Sequence, residues 1–327
     1  MTILVTGSAG RIGRNLVAAL LARGEKVRGL DLRASGITHS AFDEVEGAFD
    51  NAEAVGKAMP DVRAVFHLGA FMSWLPQDQA KLFAANVEGT RVVLEAALAA
   101  KVQRFLFASS GEVYPEGAPE FLPVDESHPL KPRSAYGLTK LLGEEMLRWA
   151  GRSHGLAVTI LRFSHTQDAS ELLDPESFFS GPRFFLQARI RQQEGFGNAA
   201  AVTALRAADD GQPAHVLAQN EKGRPFRMVI TETRDMVAGL LAAFDTPAMV
   251  GETCNLGATE AVDFAEALPK MAAITGLPVR AVNLPGAGVF YETSNARMRK
   301  LTGFKPVWTF DRMLEEAAIA WRAKRKS

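Results

Sequence analysis

The 327-residue chain has a single cysteine, Cys254, which excludes an internal disulfide and leaves nothing for a cysteine-based metal site. Net charge is also absent. The 37 basic and 37 acidic residues cancel, so no long-range field draws the protein to nucleic acid or to an anionic membrane. No stretch approaches 18 uninterrupted apolar residues, the length a spanning helix needs. The apolar run Ile3-Leu4-Val5 is too short for a secretion signal and lacks a basic flank, so the expected setting is the cytoplasm. Six histidines are scattered with no pair four apart, and no metal site is expected. There is no internal repeat and no low-complexity tract. The basic tail Arg322, Lys324, Arg325, Lys326 reads as a solvated helix end, favourably placed against the helix dipole.

What is present is ordinary for a globular protein: 47% hydrophobic and 23% charged residues, at a length suited to roughly two domains. Short apolar runs at 2–6, 27–30, 62–68, 102–108 and 156–163 read as strands. They alternate with helical patterns at 12–23, from Asn86 to Ala100, and at 136–154. That alternation predicts an α/β fold, a doubly wound parallel sheet of the Rossmann kind. The rhythm fails across 166–226, where prolines and glycines are scattered. A strand–helix pair returns near Arg227–Ala243, a last strand is expected at 253–257, and helices at 262–275 and 309–324. The expected division is a dinucleotide-binding domain over 1–165, with 227–257 returning to it. A smaller, discontinuous C-terminal substrate domain would take 166–226 and 258–327.

The first strand runs into Thr6-Gly7-Ser8-Ala9-Gly10-Arg11-Ile12-Gly13. Gly7 permits the tight turn, Gly10 lets backbone amides approach a pyrophosphate, and Gly13 allows close helix–strand packing. The helix start adds positive potential for the phosphates. Asp31 ends the second strand, 18 positions after Gly13. A carboxylate there accepts from the ribose hydroxyls and repels a 2′-phosphate, which predicts NAD as the cofactor over NADP, although Arg33 lies two residues on.

Tyr136 and Lys140 sit four apart at a helix start, hence on one face. An ammonium beside the phenol, with a cationic nicotinamide ring, would stabilise the phenolate and let Tyr136 act as base. Ser109-Ser110-Gly111-Glu112-Val113-Tyr114 follows the strand 102–108, at the sheet edge where such folds bind ligands. Ser110 is the hydroxyl expected to meet the substrate oxygen, with Ser109 nearer the strand.

Taken together, TGSAGRIG, SSGEVY and YGLTK resemble the extended short-chain dehydrogenase/reductase family of NAD-dependent sugar epimerases, dehydratases and decarboxylases. His67-Leu68-Gly69-Ala70, Asn86-Val87-Glu88-Gly89-Thr90, Leu161-Arg162-Phe163, Asn255-Leu256-Gly257 and Thr302-Gly303-Phe304-Lys305-Pro306 extend the likeness nearly end to end. The resemblance implies that Ser110 orients the substrate, that Tyr136 is the acid/base, and that Lys140 lowers its pKa and holds the nicotinamide ribose. It implies a cofactor site of Gly7, Ala9, Gly10, Arg11, Ile12, Gly13, Asp31, Leu32, Leu68, Gly69, Ala70, Asn86, Ser109, Tyr136, Lys140 and Phe163. It also implies a carbohydrate substrate, and a homodimer built on the helices starting near Asn86 and Tyr136. Apolar Val92, Val93, Leu94, Leu141 and Leu142 suit that contact or simply cover the sheet.

Departures bear on the substrate. Glu112 matches a glutamate of the dehydratases, but Gly111 replaces their adjacent acid. His165 stands where many relatives place an asparagine, Thr166-Gln167-Asp168 replaces a Gly-Pro, and Ala48-Phe49 replaces a Gly-Asp pattern. Glu112 and His165 are the candidate substrate contacts, and Arg183, Arg189, Arg191 and Arg206 are available for a carboxylate or phosphate. The leading expectation is an epimerase- or dehydratase-type enzyme. A net dehydrogenase of a free sugar or sugar acid is the alternative, and a catalytically silent NAD-binding regulator a third.

Overall fold

Thr2–Thr6 (β1) is buried at all five positions, which only a strand covered on both faces requires. In the computed structural model, which describes residues 1–324, it lies at the middle of a seven-stranded sheet. Around it come α1 (Arg11–Ala22), β2 (Lys26–Asp31), β3 (Phe42–Glu46), α2 (Ala52–Ala58) and β4 (Val62–His67). Then follow α3 (Gln79–Leu82), α4 (Gly89–Ala99), β5 (Arg104–Ser110), α5 (Ala135–His154) and β6 (Val158–Phe163). The strand order is β3-β2-β1-β4-β5-β6, closed by Thr253–Leu256, and every pairing is parallel. This is the doubly wound Rossmann-type sheet. Because the order reverses between β1 and β4, their carboxyl ends diverge and open a crevice.

Each face of the sheet has its own core. Leu16, Val17 and Leu20 of α1 meet Met236, Val237 and Leu240 of the helix Thr233–Asp245 on one side. Val55 of α2, Val93 and Ala97 of α4, and Leu147 and Ala150 of α5 cover the other. A further core, drawn from residues 169–317, gathers Phe184, Leu186, Leu205, Val216, Phe264, Met271 and Met313. Three short pairings frame it: His165–Gln167 with Ile230–Glu232, His215–Gln219 with Val279–Asn283, and Arg227–Met228 between Val262–Asp263 and Phe290–Tyr291. No helix among the described residues is long and apolar enough to cross a membrane.

The structure departs from the sequence reading in three places. β3 and α2 were not foreseen, because the edge strand FDEVE is only partly buried and its charges give no regular apolar alternation. The segment 166–226 contains three helices, Ser180–Phe184, Leu186–Gly195 and Ala199–Ala207, where irregular chain was expected. Those helices bury only a few small faces, so they show little amphipathic period. The helix expected from Asn86 starts at Gln79 and passes through a π-helical turn, Phe83–Glu88, before α4. Of the basic tail, Arg325 and Lys326 lie outside the described residues.

Behind the crevice is a buried ion pair. Arg162 on β6 bonds Glu144 on α5 through Nε at 2.8 Å and Nη2 at 2.7 Å, a bidentate arrangement. Glu144 also accepts from Ser109 Oγ on β5 at 2.6 Å. Arg162 Nη1 reaches the Tyr114 hydroxyl at 2.7 Å, which donates to Asn255 Oδ1 on the last strand at 2.9 Å. Burial pushes the Glu144 pKa up, but the bonds and charge of Arg162 outweigh it and hold the carboxyl below its usual range.

His67 on β4 is fully buried between Thr6 Oγ1 (2.7 Å) and Thr90 Oγ1 (3.1 Å). Burial, then the Lys140 charge, hold its pKa down to about 3.

Two outcomes follow for stability. Arg162→Met should lower the unfolding free energy by about 1.5–3 kcal/mol, since it removes the bidentate partner of the buried Glu144 carboxylate and leaves it Arg148 Nη2 at 2.6 Å and Ser109. Urea denaturation measures this, and a loss below about 1 kcal/mol would contradict the role given to the pair. For His67, the unfolded chain binds a proton below its ordinary value of 6.5 while the folded chain stays neutral. Stability should therefore fall as pH drops from 6.5 toward 3, by about 2 kcal/mol at pH 5. His67→Gln should flatten that slope; an identical pH dependence would overturn the assignment.

Candidate active site

The carboxyl ends of β1, β4, β5 and β6 open on a cleft of about 340 Å³. Its floor is the glycine turn. Gly7 has φ +72, and a Cβ there would strike the Gly69 backbone; a Cβ on Gly13 would strike the carbonyl of Gly7. Gly10 is the N-cap of α1 with no side chain capping the first-turn amides. A turn with these close approaches and free helix-start amides fits a dinucleotide pyrophosphate.

Of the sequence-predicted residues, Gly7, Gly10, Arg11, Ile12, Gly13, Leu68, Ala70, Ser109, Ser110, Glu112, Tyr136, Lys140, Phe163 and His165 line this one cleft. Asp31 stands at the end of β2, where its Oδ2 accepts from Ala9 N at 3.0 Å and so braces the glycine turn. Leu32 beside it is exposed. Gly69 lies under Gly7, where a Cβ would also meet the Phe49 ring. Asn86 is buried in the π-helical turn and does not line the cleft. Its amide holds both the N–H (2.7 Å) and the carbonyl (2.8 Å) of Phe71 and bonds Thr139 Oγ1, tying the loop after β4 to α5.

Helix α5 begins at Ser134, whose Oγ accepts from Gly137 N and donates to Glu112. Gly137 lets the helix sit directly on the Glu112 carbonyl, where a Cβ would collide. This seats Tyr136, Lys140 and Glu144 as one stripe, spaced by four, facing β5. Lys140 Nζ donates to Ala108 O at 2.8 Å and lies 5.8 Å from the Tyr136 ring centre. Burial brings Lys140 down to about 7. Burial, then the Glu112 charge, raise Tyr136 well above its ordinary value. Ser109 Oγ is committed to Glu144, whereas Ser110 Oγ accepts from Glu112 N at 3.1 Å and keeps its own proton to donate.

The outer wall was mostly unforeseen. Trp74 Nε1 donates to both oxygens of Glu112 at 3.1 Å, and burial raises the Glu112 pKa. Glu116 has a buried, unpartnered Oε1; burial, then the Glu112 charge, push it up to about 8. Tyr291 brings a second unpartnered buried oxygen. One signal was available: the chain has only three tyrosines, and Tyr114, Tyr136 and Tyr291 all stand at this site. Trp74, Glu112 and Glu116 also line a second chamber of about 450 Å³, walled by Arg189, Gln193, Asn198 and Phe226. No cluster of metal-binding side chains occurs among the described residues.

Comparison with known proteins agrees with this architecture. The profile of the NAD dependent epimerase/dehydratase family matches residues 3–257. The chain is similar to a crystal structure of a short-chain dehydrogenase/reductase superfamily protein from Agrobacterium tumefaciens with bound NAD. The two share 61% identity over 99% of this chain and 98% of that one, with a TM-score of 0.96. It is 32% identical over 231 residues to a putative UDP-glucose 4-epimerase of Methanocaldococcus jannaschii, covering 67% of this chain and 74% of that protein. Against a UDP-glucose 4-epimerase of Azospirillum brasilense it is 35% identical over 175 residues, 51% of this chain and 49% of that protein. The chain belongs to the NAD-dependent epimerase/dehydratase family, with NAD as its cofactor.

Proposed function

We propose that the protein oxidises a carbohydrate hydroxyl in an epimerase- or dehydratase-type reaction, with Ser110, Tyr136 and Lys140 as the catalytic residues. NAD, when bound, supplies the hydride acceptor. The glycine turn would hold its pyrophosphate, Asp31 its adenosine ribose, and the cleft from Leu68 and Ala70 to Phe163 its nicotinamide half. Ser110 donates to the substrate oxygen and orients it. Tyr136 takes the hydroxyl proton and gives one back when the carbonyl is reduced again. Lys140 supplies the positive charge that a buried phenolate needs. One observation carries this reading: Ser110, Tyr136 and Lys140 open on the same cleft as the glycine turn.

In this reading residues 1–165 with 227–257 bind the cofactor, and 166–226 with 258–327 form the substrate domain. A homodimer fits the exposed stripe Leu138, Leu142 and Trp149 on α5, whereas Val92, Val93 and Leu94 cover the sheet. A second reading, net dehydrogenation of a free sugar or sugar acid, is favoured by the wall between the chambers. Trp74 and Glu112, bonded together, stand between the inner cleft and the outer chamber, so a small substrate fits the inner one without crossing.

Incubation with NAD and a panel of free sugars, sugar acids and nucleotide sugars tests both. Net NADH supports the second reading, a changed sugar without NADH the first, and neither would overturn the function. Tyr136→Phe should cut turnover about 100-fold or more while NAD binding is retained; equal loss of NAD binding would refute its role. Asp31→Ala should weaken NAD roughly 10-fold and lower the NAD/NADP affinity ratio. An unchanged ratio would refute the ribose assignment.

A further inference from the structure

The substrate side of the cleft holds two donor groups, His165 and Tyr291, with a buried cation, Arg183, behind them. Arg183 is buried on the helix Ser180–Phe184. Among the described residues it makes no ion pair; its bonds go to Gln167 Oε1 at 3.0 Å and to His165 Nδ1 at 3.2 Å. No carboxylate among the described residues bonds this buried guanidinium, and Glu116 acts on it only through space, so a bound anion would stabilise it.

The His165 contact decides a tautomer. Arginine has only donors, so Nδ1 accepts and the proton of the neutral ring sits on Nε2. Burial, then the Arg183 charge, hold the ring neutral, with a pKa of about 3. His165 lines the inner cleft and turns its remaining donor away from Arg183.

Tyr291 is the second donor. Its ring meets His165 edge to face, with centroids 5.3 Å apart, and it lines the same cleft. Its hydroxyl is buried and unpartnered, and lies where a side chain at position 111 would begin, so position 111 has room only for glycine. Burial, then the charges of Glu116, Tyr114 and Glu112, raise the phenol far above its ordinary value, so it is a donor. Two neutral donors side by side, one backed by a buried cation, match the two oxygens of a carboxylate. Burial, then the Glu112 charge, push Glu116 up to about 8, toward its neutral form, and the Arg183 charge acts the other way.

We propose that His165 and Tyr291, with Arg183 behind them, form a receptor for a substrate carboxylate, so that the substrate is a polyhydroxy acid. The inference rests on the proposed oxidation of a carbohydrate hydroxyl. Arg183 is a positioning residue, acting through the His165 ring; His165 and Tyr291 touch the substrate.

The test compares aldonates and uronates of four to six carbons with the neutral aldoses of the same configuration, using the full chain and NAD. The wild type should favour an acid at least 100-fold in kcat/KM. Arg183→Met should collapse that acid/neutral ratio chiefly through KM, with NAD affinity retained, and Arg183→Lys should restore part of it. Tyr291→Phe should lower the ratio about tenfold, and it serves as the second probe if Arg183→Met fails to fold. Equal turnover of neutral aldoses, or losses that fall alike on acid and neutral substrates, would overturn the carboxylate receptor alone. Conversion of nucleotide sugars only would do the same. If the wild type converts nothing in the panel, the proposed function falls and the receptor with it.

Discussion

The bidentate pair of Arg162 and Glu144 is the constraint on which the site depends. Neither charge is exposed; the Arg162 guanidinium has Glu144 as its one carboxylate partner among the described residues, and Glu144 has Arg148 besides. The pair joins β6 to α5, and through Ser109, Tyr114 and Asn255 it also reaches β5, the turn after it and the last strand. Glu144 is one helical turn beyond Lys140 and two beyond Tyr136. Fixing the far end of that stripe fixes the angle at which Tyr136 meets the cleft. Motif residues such as Tyr114, Arg162 and Asn255 therefore act as a frame behind the cleft.

Close approach is the second constraint. Helix α5 rests on the Glu112 carbonyl at Gly137 and on the Phe107 ring at Gly143, both points where a Cβ would collide. The same economy of space places the Tyr291 hydroxyl over Gly111. A residue from the short strand Phe290–Tyr291 thereby enters the wall of a cleft built on β5, and the two halves of the chain share one surface.

The electrostatics of that surface follow from burial more than from net charge, which is zero. In and behind the cleft, Lys140 and Arg183 are pulled toward neutrality, while Glu112 and Glu116 are pushed toward the protonated state. Groups that would be plain ions in water become poised donors and acceptors, each sensitive to what binds beside it.

Much of this was legible along the chain. The alternation of strands and helices, the turn Gly7–Gly13, Asp31 and the Ser110, Tyr136, Lys140 set are local patterns, because a phosphate cradle and a helix stripe need fixed spacings within a few residues. By itself the sequence determined the doubly wound sheet and NAD as the cofactor. It was silent on Trp74, Glu116 and Tyr291 as a wall, and on Asn86 as a brace tying the loop after β4 to α5. These placements depend on contacts between residues far apart in the chain, which no spacing rule encodes. Only the tertiary structure decided which polar groups would be stranded in the cleft without a protein partner, because that depends on which side chains packing brings together and which it shuts away from water.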